Sequence, residues 1–215
     1  MAENTLQYEW IVTLKTNLEH LLREDPHVFI AADLLWYPVE GRPDIRRAPD
    51  VMVAFGRPKG FRGSYQQWLE EGIAPQVVIE VLSPGNRPME MHRKLRFYEE
   101  YGVEEYCMIE PDPNDLGVAA YQREHDKLVA VPIDTHWQSP RLGIRVGIEA
   151  QELVARDAEG NRFRNPEDIQ KSEAELKLVT KQQAQEIDQL KTNMQQQAEE
   201  LAKLRAELER LKRGD

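Results

Sequence analysis

Residues 76–82 read Gln76-Val77-Val78-Ile79-Glu80-Val81-Leu82, an apolar run with one carboxylate inside it. Apolar residues at successive positions, bounded by Ser83-Pro84-Gly85, predict a strand covered on both faces rather than one alternating between core and water. The sheet that holds it therefore needs a layer on each side. A lone charge in such a strand is costly, so Glu80 requires a cation, a hydrogen-bonded partner or a raised pKa. The plain alternative to a functional group is a buried Glu–Arg pair.

Three further runs have strand character: His27–Tyr37, Asp50–Phe55 and Glu105–Ile109. Gly41-Arg42-Pro43 and Gly56-Arg57-Pro58 punctuate them. Upstream, Leu6, Trp10, Leu14, Leu18, Leu21 and Leu22 mark an amphipathic helix over 5–24, stopped by Pro26. A second helix is predicted over Met89–Tyr101, ended by Gly102. Short strands follow at Val118–Arg123, Leu128–Ile133 and Gly143–Ile148. This order indicates an α/β (α+β) fold with a mixed β-sheet core flanked by helices. Its domain spans 1–155. The polar stretch 156–172, with Gly160 and Pro166, reads as a linker to a C-terminal coiled-coil helix over 173–213.

From Glu173 onward there is no glycine, proline or aromatic residue until Gly214. Ile187, Met194, Leu201 and Leu208 recur at heptad position a, and Leu190, Leu204 and Leu211 at d. Glu186–Lys191, Glu200–Arg205 and Glu207–Lys212 form opposite-sign g-to-e pairs, which suit a parallel homodimer. A heteromeric coiled-coil partner would use the same seam. Thr180, Gln183 and Gln197 weaken its upper half.

Residues 171–215 carry nine Lys/Arg and nine Asp/Glu, so the whole net charge of −10 belongs to residues 1–170. A protein that merely coats nucleic acid would show surplus lysine and arginine instead. Cys107 is the only cysteine, which excludes an intramolecular disulfide and a cysteine-based zinc site. The five histidines show no metal-ligand spacing. No apolar run is long enough to span a membrane and no secretory signal is visible, so a cytoplasmic location is expected.

Two more residues stand out beside Glu80. Asp50 opens a strand after Pro49, which forces an extended entry. Lys94 lies on the apolar stripe formed by Met91, Leu95, Tyr98 and Tyr101, where a lysine either snorkels out or reaches a buried acid. Two carboxylates that hold a hard cation, with a lysine beside them, compose a metal-assisted phosphodiesterase. Asp33 and Asn17 are candidates to complete the site as extra ligands or supporting groups. Tyr98 shares the face of Lys94 and is a third supporting candidate. Arg42, Arg46, Arg47, Arg57, Lys59 and Arg62 are candidates for a rim along a DNA backbone.

The ordered set Pro49-Asp50-Val51-Met52-Val53, Glu71-Gly72-Ile73-Ala74-Pro75, Ile79-Glu80-Val81-Leu82-Ser83-Pro84, and Lys94-x-x-x-Tyr98 with Tyr101-Gly102-Val103-Glu104-Glu105-Tyr106 resembles the Uma family. The resemblance covers about residues 5–150. It implies a restriction-endonuclease-like PD-(D/E)xK fold and a Mg²⁺-dependent endonuclease, with Mn²⁺ as a substitute and DNA as the substrate. It also implies that Asp50, Glu80 and the Val81 carbonyl hold the metal and that Lys94 is the catalytic lysine. The general signature places that lysine two residues after the glutamate, where this chain has Leu82. The rival reading is a non-catalytic scaffold or nucleic-acid-binding protein that recruits partners through its coil.

Overall fold

The computed structural model describes residues 4–213 apart from 84, 86 and 87. Two compact units result, residues 1–166 and 167–215.

The first unit begins with α1 (Thr5–Leu21), whose N-terminus is capped by the Asn4 side chain accepting the Gln7 N–H. Then follow β1 (Val28–Ala32), β2 (Trp36–Tyr37), β3 (Val51–Phe55), β4 (Tyr65–Gln66) and β5 (Val77–Val81). Helix α2 (Pro88–Glu100) leads to β6 (Glu105–Glu110), β7 (Gly117–Glu124) and β8 (Lys127–Ala130). The last strands are β9 (His136–Gln138), β10 (Arg145–Glu149) and β11 (Glu152–Arg156).

Six strands form the central sheet in the order β1-β3-β5-β6-β7-β8. Among the described residues of this sheet, only β5 and β6 pair in parallel, because α2 supplies the crossover that parallel neighbours need. All other pairs in the sheet are antiparallel, so the sheet is mixed, as the sequence predicted.

Strand β5 explains its own composition. Val77, Ile79 and Val81 face the layer of Ile11, Leu14 and Leu18 on α1. Val78 belongs to the opposite layer with Phe97 and Tyr98 of α2, and Glu80 points the same way by strand alternation. Burying both faces at about 25 cal/mol per Å² makes this strand the centre of the core. The small sheet β11-β10-β9 extends the α1-side core through Trp137, Val146, Leu153 and Ala155.

Gly102 ends α2 at φ +97, a left-handed turn that Cβ-bearing residues rarely adopt. A Cβ there would also stand 3.4 Å from the Ala74 side chain. The run His27–Tyr37, read as one strand, is broken in two. Asp33 takes φ 49 and its N–H bonds the Pro49 and Asp50 carbonyls, so the chain turns between β1 and β2. β4, β9 and β11 were not anticipated.

Within the stretch read as linker, Phe163 is buried and pairs back through its N–H to the Ala155 carbonyl. Helix α3 (Pro166–Arg213) begins seven residues before Glu173, with Pro166 at a position where no N–H is needed. In the second unit, Ile187, Leu190, Met194, Leu201, Leu204 and Leu208 are all exposed on this helix. The side chains of Glu200, Glu207, Leu211 and Lys212 lie outside the described residues, as do Pro84 and Asn86 of the turn after β5. No helix among the described residues is long and apolar enough to cross a membrane.

Candidate active site

The chemistry-bearing residues meet at one end of the β3–β5 pair. The register places Val51 opposite Ile79, which sets Asp50 beside Glu80 on the same face. Asp50 is 7% exposed, and its Oδ2 accepts the Val81 N–H at 2.8 Å. A side chain thus takes the backbone donor at the end of β5 and fixes the carboxylate against the sheet.

Glu80 is 1% exposed. Its Oε2 accepts a charge-assisted bond from Lys94 Nζ at 2.9 Å, and its Oε1 accepts the Tyr98 hydroxyl. Burial pushes the Glu80 carboxyl up to about 7, and the Asp50 charge adds to that, while Lys94 and the Tyr98 hydrogen bond pull against it. Burial disfavours the Lys94 ammonium, yet the Glu80 carboxylate outweighs it and holds the amine above its ordinary value. Burial and the neighbouring carboxylate keep Tyr98 a protonated donor. Its ring is held by Trp36, stacked at a centroid distance of 6.3 Å, and by Phe97 and Tyr106.

Of the residues singled out from the sequence, Asp50, Glu80, Lys94 and Tyr98 come together. The buried partner of Glu80 is a lysine, so the Glu–Arg alternative is corrected. Asp33 is exposed at the end of β1, tied to the Asp50 segment by backbone bonds, and is not the mid-strand residue that the sequence suggested. Asn17 is not part of the site. Its amide donates to the Thr13 and Arg164 carbonyls and accepts the Arg164 N–H, anchoring the chain before α3. The proposed basic rim also divides. Arg57 and Arg62 are consumed by Glu70, Arg57 also by Glu71, and Lys59 by the Leu22 and Arg23 carbonyls.

One residue was missed. Gln7 on α1 is 5% exposed and its Nε2 donates to the Val81 carbonyl at 2.8 Å. Gln7, Ile11, Leu14 and Leu18 are spaced four, three and four, so a polar side chain sits at the head of the apolar stripe. The helical period that sets Lys94 apart on the apolar stripe of α2 sets Gln7 apart on α1 in the same way. At about 1.5 Å per residue, Asn17 is roughly 15 Å further along the helix, which is why it cannot reach the same point.

The donor set suits a hard divalent cation. Asp50 and Glu80 stand side by side at the strand ends, the Val81 carbonyl next along β5 is a third oxygen, and Mg²⁺ takes one or two carboxylates while keeping several waters. Among the described residues, no three His, Cys, Asp or Glu side chains gather, so a cluster of side chains alone is not available.

A family model described as "Uma2: Putative restriction endonuclease" matches residues 4–154. Among solved structures, the chain resembles one titled a "putative nuclease belonging to DUF820" from Anabaena variabilis, with 13% identity and a TM-score of 0.48. That similarity covers 66% of this chain and 76% of the other. No curated protein matches.

Proposed function

This chain belongs to the Uma2 family, and on that premise we propose that it is a metal-dependent endonuclease hydrolysing phosphodiester bonds in DNA. The observation that carries the reading is the convergence of Asp50, Glu80 and Lys94, with Lys94 Nζ 2.9 Å from a carboxylate that is 1% exposed. Asp50, Glu80 and the Val81 carbonyl hold the cation, Mg²⁺ or Mn²⁺. When bound, that ion polarises the phosphate and lowers the pKa of a coordinated water.

The protein's own groups do the rest. Tyr98 fixes one oxygen of Glu80, leaving the carboxylate a single orientation. Gln7 donates to the Val81 carbonyl and Asp50 accepts the Val81 N–H, so both backbone polar groups of Val81 are held in place beside the carboxylates. Lys94, held charged, neutralises negative charge developing on the phosphate or orients the attacking water. In hydrolysis the water oxygen forms a new P–O bond, the ester P–O bond breaks, and the leaving oxygen takes a proton.

The coil over 173–213 joins two such domains, presenting two sites to two strands. Its exposed leucine seam supports this assembly. Leu82, standing where the general signature has lysine, and the acidic net charge favour the second reading, a non-catalytic scaffold or nucleic-acid-binding protein. Incubation of supercoiled plasmid with the full chain and Mg²⁺ or Mn²⁺ separates the two. Nicking by the wild type and none by Glu80→Ala is the expected result; equal activity in both, or none in either, sinks the endonuclease.

A further inference from the structure

A cleft of about 330 Å³ opens between the segment before β3 and one flank of α2. Its charged walls are Arg46 and Arg47 on one side and Arg93 and Arg96 on the other, against the carboxylates of Asp44 and Glu100. Asp44 is already engaged by Arg42 through two bonds of 3.0 and 2.8 Å. The cleft is thus locally cationic in a domain that is acidic as a whole.

Its arginines also differ from those at the far end of β3. Arg57 and Arg62 are spent on Glu70. By contrast, among the described residues the Arg46 side chain bonds only the Pro43 carbonyl, and Arg47 bonds the Arg46 carbonyl and lies over the Phe97 ring at 5.3 Å. Arg93 is exposed and has no hydrogen bond or ion pair among the described residues. Arg96 pairs with Glu99 at the rim.

Both walls come from the elements that deliver the site. Arg47 bridges to Trp36 through two backbone bonds and stands three residues before Asp50. Arg93 immediately precedes Lys94 on α2. Three residues of chain span at most about 10 Å, so Arg47 lies within a few nucleotides' reach of the site.

We infer that the cleft walled by Arg46, Arg47 and Arg93 is the track for the phosphodiester backbone of the nucleic acid beside the scissile bond. This rests on the nuclease reading above. Arginine suits the task because its planar fork bonds phosphate oxygens bidentately and stays charged. An acidic protein segment is the competing occupant.

The test is fluorescence anisotropy of a labelled DNA duplex with the full chain, in EDTA and again in Ca²⁺, across a range of KCl. Arg46→Ala/Arg93→Ala is compared with a charge-matched pair, Arg156→Ala/Arg162→Ala, whose guanidiniums pair with Glu149 and Glu152 elsewhere. Thermal melts verify that each variant folds. Loss of two phosphate contacts should weaken binding about tenfold or more and flatten the log–log salt slope by roughly two. The control should stay within about twofold, as expected for surface charges that touch no phosphate. Tight wild-type binding with equal behaviour of both variants overturns the cleft and leaves the nuclease reading standing. No binding by the wild type to duplex or single strand, alongside no plasmid cleavage, overturns both.

Discussion

With almost none of its surface in water, Glu80 must share a proton or a cation, and pH decides which. In the folded chain its proton leaves at about 7, against 4.5 when the carboxyl is unhindered. Between those values the native state binds more protons than the unfolded state, so the contribution of Glu80 to stability is full below 4.5 and is lost as pH rises through 7, with buried Glu105, also held high, acting in the same direction. Carboxylates held low by arginine or backbone partners, such as Glu70 and Asp157, are already ionised across that window and do not mask it. The melting temperature of metal-free protein should fall by several degrees from pH 4.5 to 7.5, and added Mg²⁺ should raise it more at pH 7.5 than at 5. Scanning fluorimetry reads both; a flat profile contradicts this picture of Glu80. Lys94→Ala should cost about 3–5 kcal/mol near pH 8, because it strands a buried carboxylate, and visibly less at pH 5, where Glu80 can take a proton. Urea titrations at the two pH values measure the difference. Lys94 was legible in the sequence because a helix's period exposes any charge on its apolar stripe. Asp33 was misread because its apolar neighbours look like one strand, and nothing local announced a left-handed residue among them.

Elements carry the next level of cause. The run around Glu80 could be read as doubly covered because strand alternation makes two buried faces look like continuous apolarity. The two-residue strands β2 and β4 were not legible individually, since they are held by Trp36 and Tyr65 in the core rather than by any pattern of their own. The leucines of α1 place the helix, whereas its part in the site rests on Gln7, a single polar residue at the head of the stripe that the leucine pattern does not mark. If Gln7 steers the Val81 carbonyl, Gln7→Leu should weaken divalent-metal affinity about 10–100-fold, as loss of a supporting hydrogen bond does at other metal centres. The maximal rate at saturating metal should hardly change. Titrating activity with Mg²⁺ for both proteins distinguishes this from a merely structural role, which would lower the rate at every concentration.

At the scale of the molecule, an acidic domain that handles a polyanion must confine its positive charge, and the lysine and arginines near Asp50 do so. Assembly through the tail is the other whole-chain proposal. The leucine seam of the helix repeats at heptad spacing and is exposed, which is the pattern that a partner helix covers in a coiled coil. Sedimentation should find the full chain dimeric and a chain ending at Pro166 monomeric; a dimeric truncation would move the interface into the first unit. On the proposed reading, Asp50, Glu80 and Lys94 act as one hydrolytic site despite Leu82. Its most direct test is the single-turnover rate of duplex cleavage at saturating Mg²⁺ for the wild type and Lys94→Met, each shown folded by its melt in Mg²⁺. The rate should be at least about 100-fold lower in the variant, the scale of losing a charged group aimed at the transition state, with metal affinity unchanged or tighter. A variant that cuts as fast as the wild type would contradict it.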